Sequence, residues 1–164
     1  MRNIKKWVMP FVVIFCLSQQ ATADELDNKI SSECRILAFL AKSAKESLHT
    51  GISKETFIKN VDSFTKWEEH KSIASRETFL DLVEIVYSEG EYDIKTELEK
   101  LKSTSIPGAD ITLNNFKNAS KEQQEISKAK MLPILIKYYS DGVYKNCMVE
   151  TMKLLQQVKE QSQH

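Results

Sequence analysis

Nucleophilic, acid–base and metal chemistry need cysteine, histidine or carboxylate side chains brought together, and in these 164 residues such groups are few and separately placed. The cysteines are Cys16, Cys34 and Cys147, and the histidines are His49, His70 and the terminal His164. No C-x-x-C dithiol, H-E-x-x-H pair, G-x-x-x-x-G-K-[ST], G-x-G-x-x-G or G-x-S-x-G occurs. His49 and His70 fall at polar helix ends, where a solvated imidazole favoured by the helix dipole is expected. Glu68 and Glu69 would point about 100° apart on a helix, poorly placed for joint acid–base work. Glu89, Glu91 and Asp93 surround Gly90 and read as a solvated corner. No catalytic, metal-binding or cofactor-binding set is therefore expected, and the chain reads as a non-enzyme; a glycosidase using carboxylates alone stays compatible with these residues.

The chemistry that the cysteines do allow is cross-linking, provided that the chain meets an oxidising compartment. The first 23 residues, MRNIKKWVMPFVVIFCLSQQATA, place Arg2, Lys5 and Lys6 before an apolar run from Trp7 to Leu17 and end on Ala21-Thr22-Ala23. This is the pattern of a cleaved export signal, too short in its apolar part for the roughly 20 residues of a membrane-spanning helix. Cleavage is expected after Ala23, giving a periplasmic or secreted chain without a stable membrane anchor. Cys16 follows Phe15, where a lipid-carrying cysteine usually follows a small residue, so it is expected to leave with the signal. Removing 23 of the 164 residues leaves 141, one domain from 24 to 164. Basic and acidic residues number 23 each in the whole chain; the signal takes three cations and no acid, leaving about −3. Lysines interleave with glutamates and form no basic face, which argues against a nucleic-acid partner.

Both remaining cysteines lie on apolar stripes. Leu26, Ile30, Cys34, Leu37, Ala41, Ala44 and Leu48 step by three or four, as do Val143, Cys147, Thr151, Leu154 and Val158. Each thus faces a core, and a Cys34–Cys147 disulfide joining the first helix to the last is expected.

Four glycines, three prolines and abundant glutamate, lysine and leucine read as helix almost throughout the mature chain. The expected fold is all-α, a small bundle of about five to six helices. Helix one covers Leu26 to His49 and stops at Gly51. Ser53 caps a second helix with Phe57, Val61 and Phe64 on its face, reaching Trp67. A third, from near Ser75, carries Phe79, Leu82, Val83, Val86 and Tyr87 and ends at Gly90. A fourth runs from Asp93 through Ile94, Leu98 and Leu101 at the edge of the bundle. Residues 103–119, STSIPGADITLNNFKNA, break the helical period and read as an irregular connection. Ser120-x-x-Gln123 opens a fifth helix as a capping box. Pro133 is expected to break it, and Asp141-Gly142 to stop the following segment before a final helix from about Val143 to Glu160.

Ile106, Ile111, Leu113 and Phe116 are apolar side chains on a segment read as having no helix of its own; they either dock a protein partner or pack across the bundle. Tyr138, Tyr139 and Tyr144 read as core-edge tyrosines. The placement of Cys34 and Cys147 in a short exported helical chain resembles several families of small bacterial exported proteins, periplasmic immunity proteins that neutralise type VI secretion amidases among them. The resemblance implies action by binding a protein in the cell envelope, as an immunity or inhibitor protein against a toxin or hydrolase. An accessory subunit of a pilus, secretion or conjugation machine is the alternative.

Overall fold

The computed structural model describes residues 23–67, 73–103 and 109–161. The expected export signal, His70, Glu68, Glu69, Ile106 and His164 lie outside them. Six helices form among the described residues: α1 Ala23–His49, α2 Lys54–Phe64, α3 Arg76–Glu89, α4 Ile94–Ser103, α5 Ala109–Asn118 and α6 Lys121–Gln161.

Short-range chemistry sets most of their ends. Past α1, Gly51 takes φ +76°, which lets the Ile52 N–H reach the Ser47 carbonyl (2.9 Å) and its own N–H reach Leu48 (3.0 Å), closing two orphan carbonyls. Ser53 then caps α2 by accepting the Thr56 N–H at 3.2 Å, and Ser75 caps α3 through Thr78 at the same distance. Asp93 opens α4, accepting the Lys95 N–H (3.1 Å) and the Thr96 hydroxyl (2.7 Å). The capping box forms in full: Gln123 N–H donates to Ser120 Oγ at 3.3 Å, and Ser120 N–H to Gln123 Oε1 at 3.1 Å.

Three expectations are corrected. Residues 109–118, inside the segment expected to be irregular, form α5. Its helical face is reduced to few residues, and Leu113 and Phe116 gain their burial from Ile94 and Leu98 of α4. A second correction concerns α6, which passes Pro133 and Gly142 as one helix of 41 residues, about 60 Å long. Proline removes the donor for the Ala129 carbonyl, but Pro133 and Ala129 are both exposed, so solvent reaches the orphan group. Gly142 keeps ordinary helical backbone, with no atom from outside its own stretch of helix backbone within 4 Å of where a Cβ would stand. Packing of the segment beyond it onto α1 outweighs the weak local propensity. Finally, α2 stops at Phe64, which is 89% exposed, and Trp67 packs separately against Phe79 (5.1 Å between centroids) while donating to Asp62 at 2.8 Å.

Two cores result. The larger gathers Ile30, Cys34, Leu37, Leu40, Ala41 and Ala44 of α1, Phe57 of α2, Phe79, Leu82, Val83 and Val86 of α3, and Cys147 and Leu155 of α6. A smaller one, Ile94, Leu98, Leu113 and Phe116, lies under Met131 and Leu135 from the first half of α6. α6 therefore spans both. Glu33 of α1 reaches the turn before α3, accepting the Ile73 N–H at 2.7 Å and the Ala74 N–H at 3.3 Å.

Across the larger core, Cys34 and Cys147 are joined as expected, with Cα atoms 5.6 Å apart. A bond of this kind belongs to an oxidising, non-cytoplasmic compartment. Closing a separation of 113 positions removes denatured-state entropy worth up to about 4 to 5 kcal/mol. Replacing both cysteines by alanine is expected to lower the free energy of unfolding by about 2 to 4 kcal/mol without changing the helix content, read by urea denaturation followed by circular dichroism.

Candidate functional site

A concavity lies where α1 and α6 run side by side. Arg35, Ala38, Phe39 and Lys42 come from α1 and Ser140, Asp141, Tyr144 and Lys145 from α6, around a volume of about 420 Å³. Their spacing follows from helix geometry: positions three and four apart share a face, so each helix presents two successive turns to the groove. The disulfide lies one turn along each helix, four residues before Ala38 and three after Tyr144. Two hydrogen bonds fix the floor, Ser140 Oγ donating to the Ala38 carbonyl at 2.9 Å and the Tyr144 hydroxyl meeting Ser31 Oγ at 3.1 Å.

The groove is aromatic and cationic. Phe39 is 65% exposed at its rim. The hydrogen bond with Ser31 holds the Tyr144 phenol below its usual range against the opposing effect of burial, with Arg35 adding to the lowering. Asp141 is already matched by Lys137 at 2.6 Å, and Lys42 by Glu46 at 3.7 Å. Among the described residues, Arg35 and Lys145 have no carboxylate partner. Positive charge is therefore in excess here.

The residues expected to bind a partner are elsewhere. Leu113 and Phe116 are buried in the smaller core, 3% and 9% exposed, and the side chain of Ile111 lies outside the described residues, as does Ile106. Tyr139 and Tyr144 are half-buried as core-edge residues, but Tyr138 points to solvent. Phe39 carries a signal that a closer reading of the sequence could have found: it is apolar yet falls off the stripe through Cys34, Leu37 and Ala41.

A second constellation was not legible as chemistry. Lys45 of α1 is 1% exposed, its ammonium 3.2 Å from the Gly90 carbonyl, 3.2 Å from Glu89, and within 5 Å of the ring centroids of Tyr92 and Tyr139. It thus caps the C-terminal end of α3 while two aromatic faces replace its water. Burial first, and nearby carboxylates second, push the phenols of Tyr92 and Tyr139 upward, keeping both neutral. His49, expected to be solvated, accepts the Tyr92 N–H on Nε2 at 3.1 Å and stacks on that ring. Enclosed in this way, the Lys45 amine has no approach for a substrate; it is a clasp holding α1, the end of α3, the turn that follows it, and α6. Among the described residues, no group of three His, Cys, Asp or Glu could hold a metal, and no helix is long and apolar enough to cross a membrane.

Two outcomes test the clasp. Lys45→Met keeps the stem and leaves Glu89 half-exposed, so a loss within about 1 kcal/mol is expected, whereas Lys45→Ala opens a cavity costing about 2 to 4 kcal/mol, both read by urea denaturation. Burial lowers His49 below its ordinary 6.5, with Glu91 opposing and Lys45 adding to the effect, so the unfolded chain takes the proton first. Stability is then full above about pH 6.5 and falls as pH drops through the lower folded value; His49→Gln is expected to flatten this slope in denaturation midpoints between about pH 8 and 5. No family model, curated protein or solved structure matches the chain.

Proposed function

We propose that the chain is an exported periplasmic protein that acts by binding a protein partner, as an immunity or inhibitor protein against an envelope toxin or hydrolase. The N-terminal pattern of basic residues, apolar run and A-x-A supports export, and the disulfide fits the oxidising compartment that export reaches. The observation that carries the binding role is the α1–α6 groove, where an exposed Phe39 is ringed by Arg35, Lys42 and Lys145 on a floor fixed by the disulfide. Aromatic and arginine side chains supply most of the energy at protein interfaces, and a floor that does not reorganise loses little of it on binding. The excess positive charge selects an acidic segment of the partner, such as the carboxylate-lined mouth of a hydrolase site.

Tagged chain drawn from its native periplasm is expected to retain one tight partner, and Arg35→Glu with Phe39→Ser to weaken that complex by about 30-fold or more at unchanged melting temperature. Deleting the gene is expected to harm cells only when the toxin reaches the periplasm. Retention that ignores both substitutions would sink the groove as the site, and loss of an appendage without toxicity would move the assignment to an assembly subunit.

A further inference from the structure

α4 and α5 form a unit set between two turns. Before α4 comes the turn through Gly90, Glu91 and Tyr92, and after α5 the junction at Ala119 and Ser120 that opens α6. Within the unit the two helices pack on each other through Ile94, Leu98, Leu113 and Phe116, and they meet α6 only through its first half, at Met131 and Leu135. Gly90 takes φ +74°, a backbone that glycine adopts without strain, so the first turn can serve as a hinge.

α1 grips that turn at two points, one helical turn apart. Lys45 donates to the Gly90 carbonyl at 3.2 Å; four residues on, His49 Nε2 accepts the Tyr92 N–H at 3.1 Å, with the two rings stacked 5.6 Å apart. The second grip depends on charge state. A ring nitrogen that accepts a backbone N–H carries no proton; once protonated it presents a donor to a donor, and the bond is lost. The groups around the imidazole are Glu91 and Tyr92 of the turn and Lys45 of its own helix, with Glu89 of α3 and Tyr139 of α6 beyond Lys45 and Glu97 of α4 facing Tyr92. Burial favours the neutral ring, Glu91 opposes this, and the Lys45 ammonium adds to it. Tyr92 also packs against the smaller core, so the loss is felt there first.

We propose that His49 is an acid-released latch, whose protonation frees the turn after α3 and lets α4 and α5 part from the first half of α6. The larger core keeps its disulfide and stays closed. Because the folded imidazole holds its proton less tightly than the ordinary 6.5, the latch is fully closed above about pH 6.5 and loosens as pH falls through the lower folded value. Opening uncovers Met131 and Leu135, so acid would create apolar surface at one end of the molecule alone.

Hydrogen exchange of single amides, read by NMR on the oxidised protein at about pH 7.5 and 5 and corrected for intrinsic rates, tests this. Leu98 and Phe116 are expected to exchange with a weaker urea dependence than Val83 and Cys147, because the opening that exposes them uncovers less surface. Their protection should fall about fivefold from the higher pH to the lower, the worth of one hydrogen bond. His49→Gln, whose amide oxygen can accept the Tyr92 N–H but does not titrate, should show equal protection at both. In the unsubstituted protein the Tyr92 amide shift should move with titration of the His49 ring. One urea dependence shared by both cores overturns the latch, as does protection that ignores pH, a fall that persists in His49→Gln, or a Tyr92 amide that ignores the His49 titration.

Discussion

Everything in this fold is referred to the contact between α1 and α6. The two helices are separated by most of the sequence, yet a disulfide, the Tyr144–Ser31 hydrogen bond and the Ser140–Ala38 hydrogen bond tie them along successive turns. Small residues make the approach possible: Ala41 and Ala44, like Cys34, are fully buried on the inner face of α1. Bringing such distant segments together costs loop-closure entropy, and a covalent tie removes that cost from the folded side of the balance by imposing it on the unfolded chain. The groove floor is assembled from this same contact, so the bond that stabilises the fold also fixes the geometry of the candidate binding surface.

The rest of the chain is arranged around that pair by directional polar contacts at helix ends. Lys45 clasps the end of α3, Glu33 holds the turn before it, and Arg76 pairs with Asp62 at 2.7 Å to connect α3 to the end of α2. Arg76 in turn draws the Asp62 carboxyl below its ordinary range. The smaller core depends on α6 in another way: α4 and α5 form a helical pair linked by Lys117 and Glu99 at 3.0 Å, and the first half of α6 covers it. A stop at Pro133 or Gly142 would separate the cores. The continuity of α6 is therefore a structural requirement that its own composition disguises.

The helical fold, its caps and its disulfide were readable because each rests on few residues close in sequence or on one simple periodicity. Ser53, Ser75, Asp93 and the Ser120–Gln123 box act within three or four positions, and Cys34 and Cys147 lie on evident stripes. What the sequence concealed depends on distant neighbours. Pro133 and Gly142 are helix breakers by intrinsic preference, and only solvent at one and the packing of the helix onto α1 at the other reverse the outcome. For Leu113 and Phe116 docking and packing across the bundle both stayed open, because the helix that buries them against α4 has so short a period of its own. Lys45 falls on the apolar stripe of α1, one residue beyond Ala44, but the partners that make its burial tolerable come from α3, the turn after it, and α6.

Equal numbers of acids and bases gave no hint of a binding surface, because net charge averages over faces that a fold separates. On α1 and α6 the inner faces form the core, the facing edges form a cationic groove, and the outer face of α6 carries the exposed Ile134, Tyr138, Val149 and Met152. α6 is consequently apolar on two opposite sides, so it lacks the single stripe of an ordinary surface helix. A helix whose only task was to close the bundle would need the inner stripe alone. The outer one leaves apolar area in water and adds nothing to the packing within a single chain, so the composition of α6 is not accounted for by closing the bundle alone.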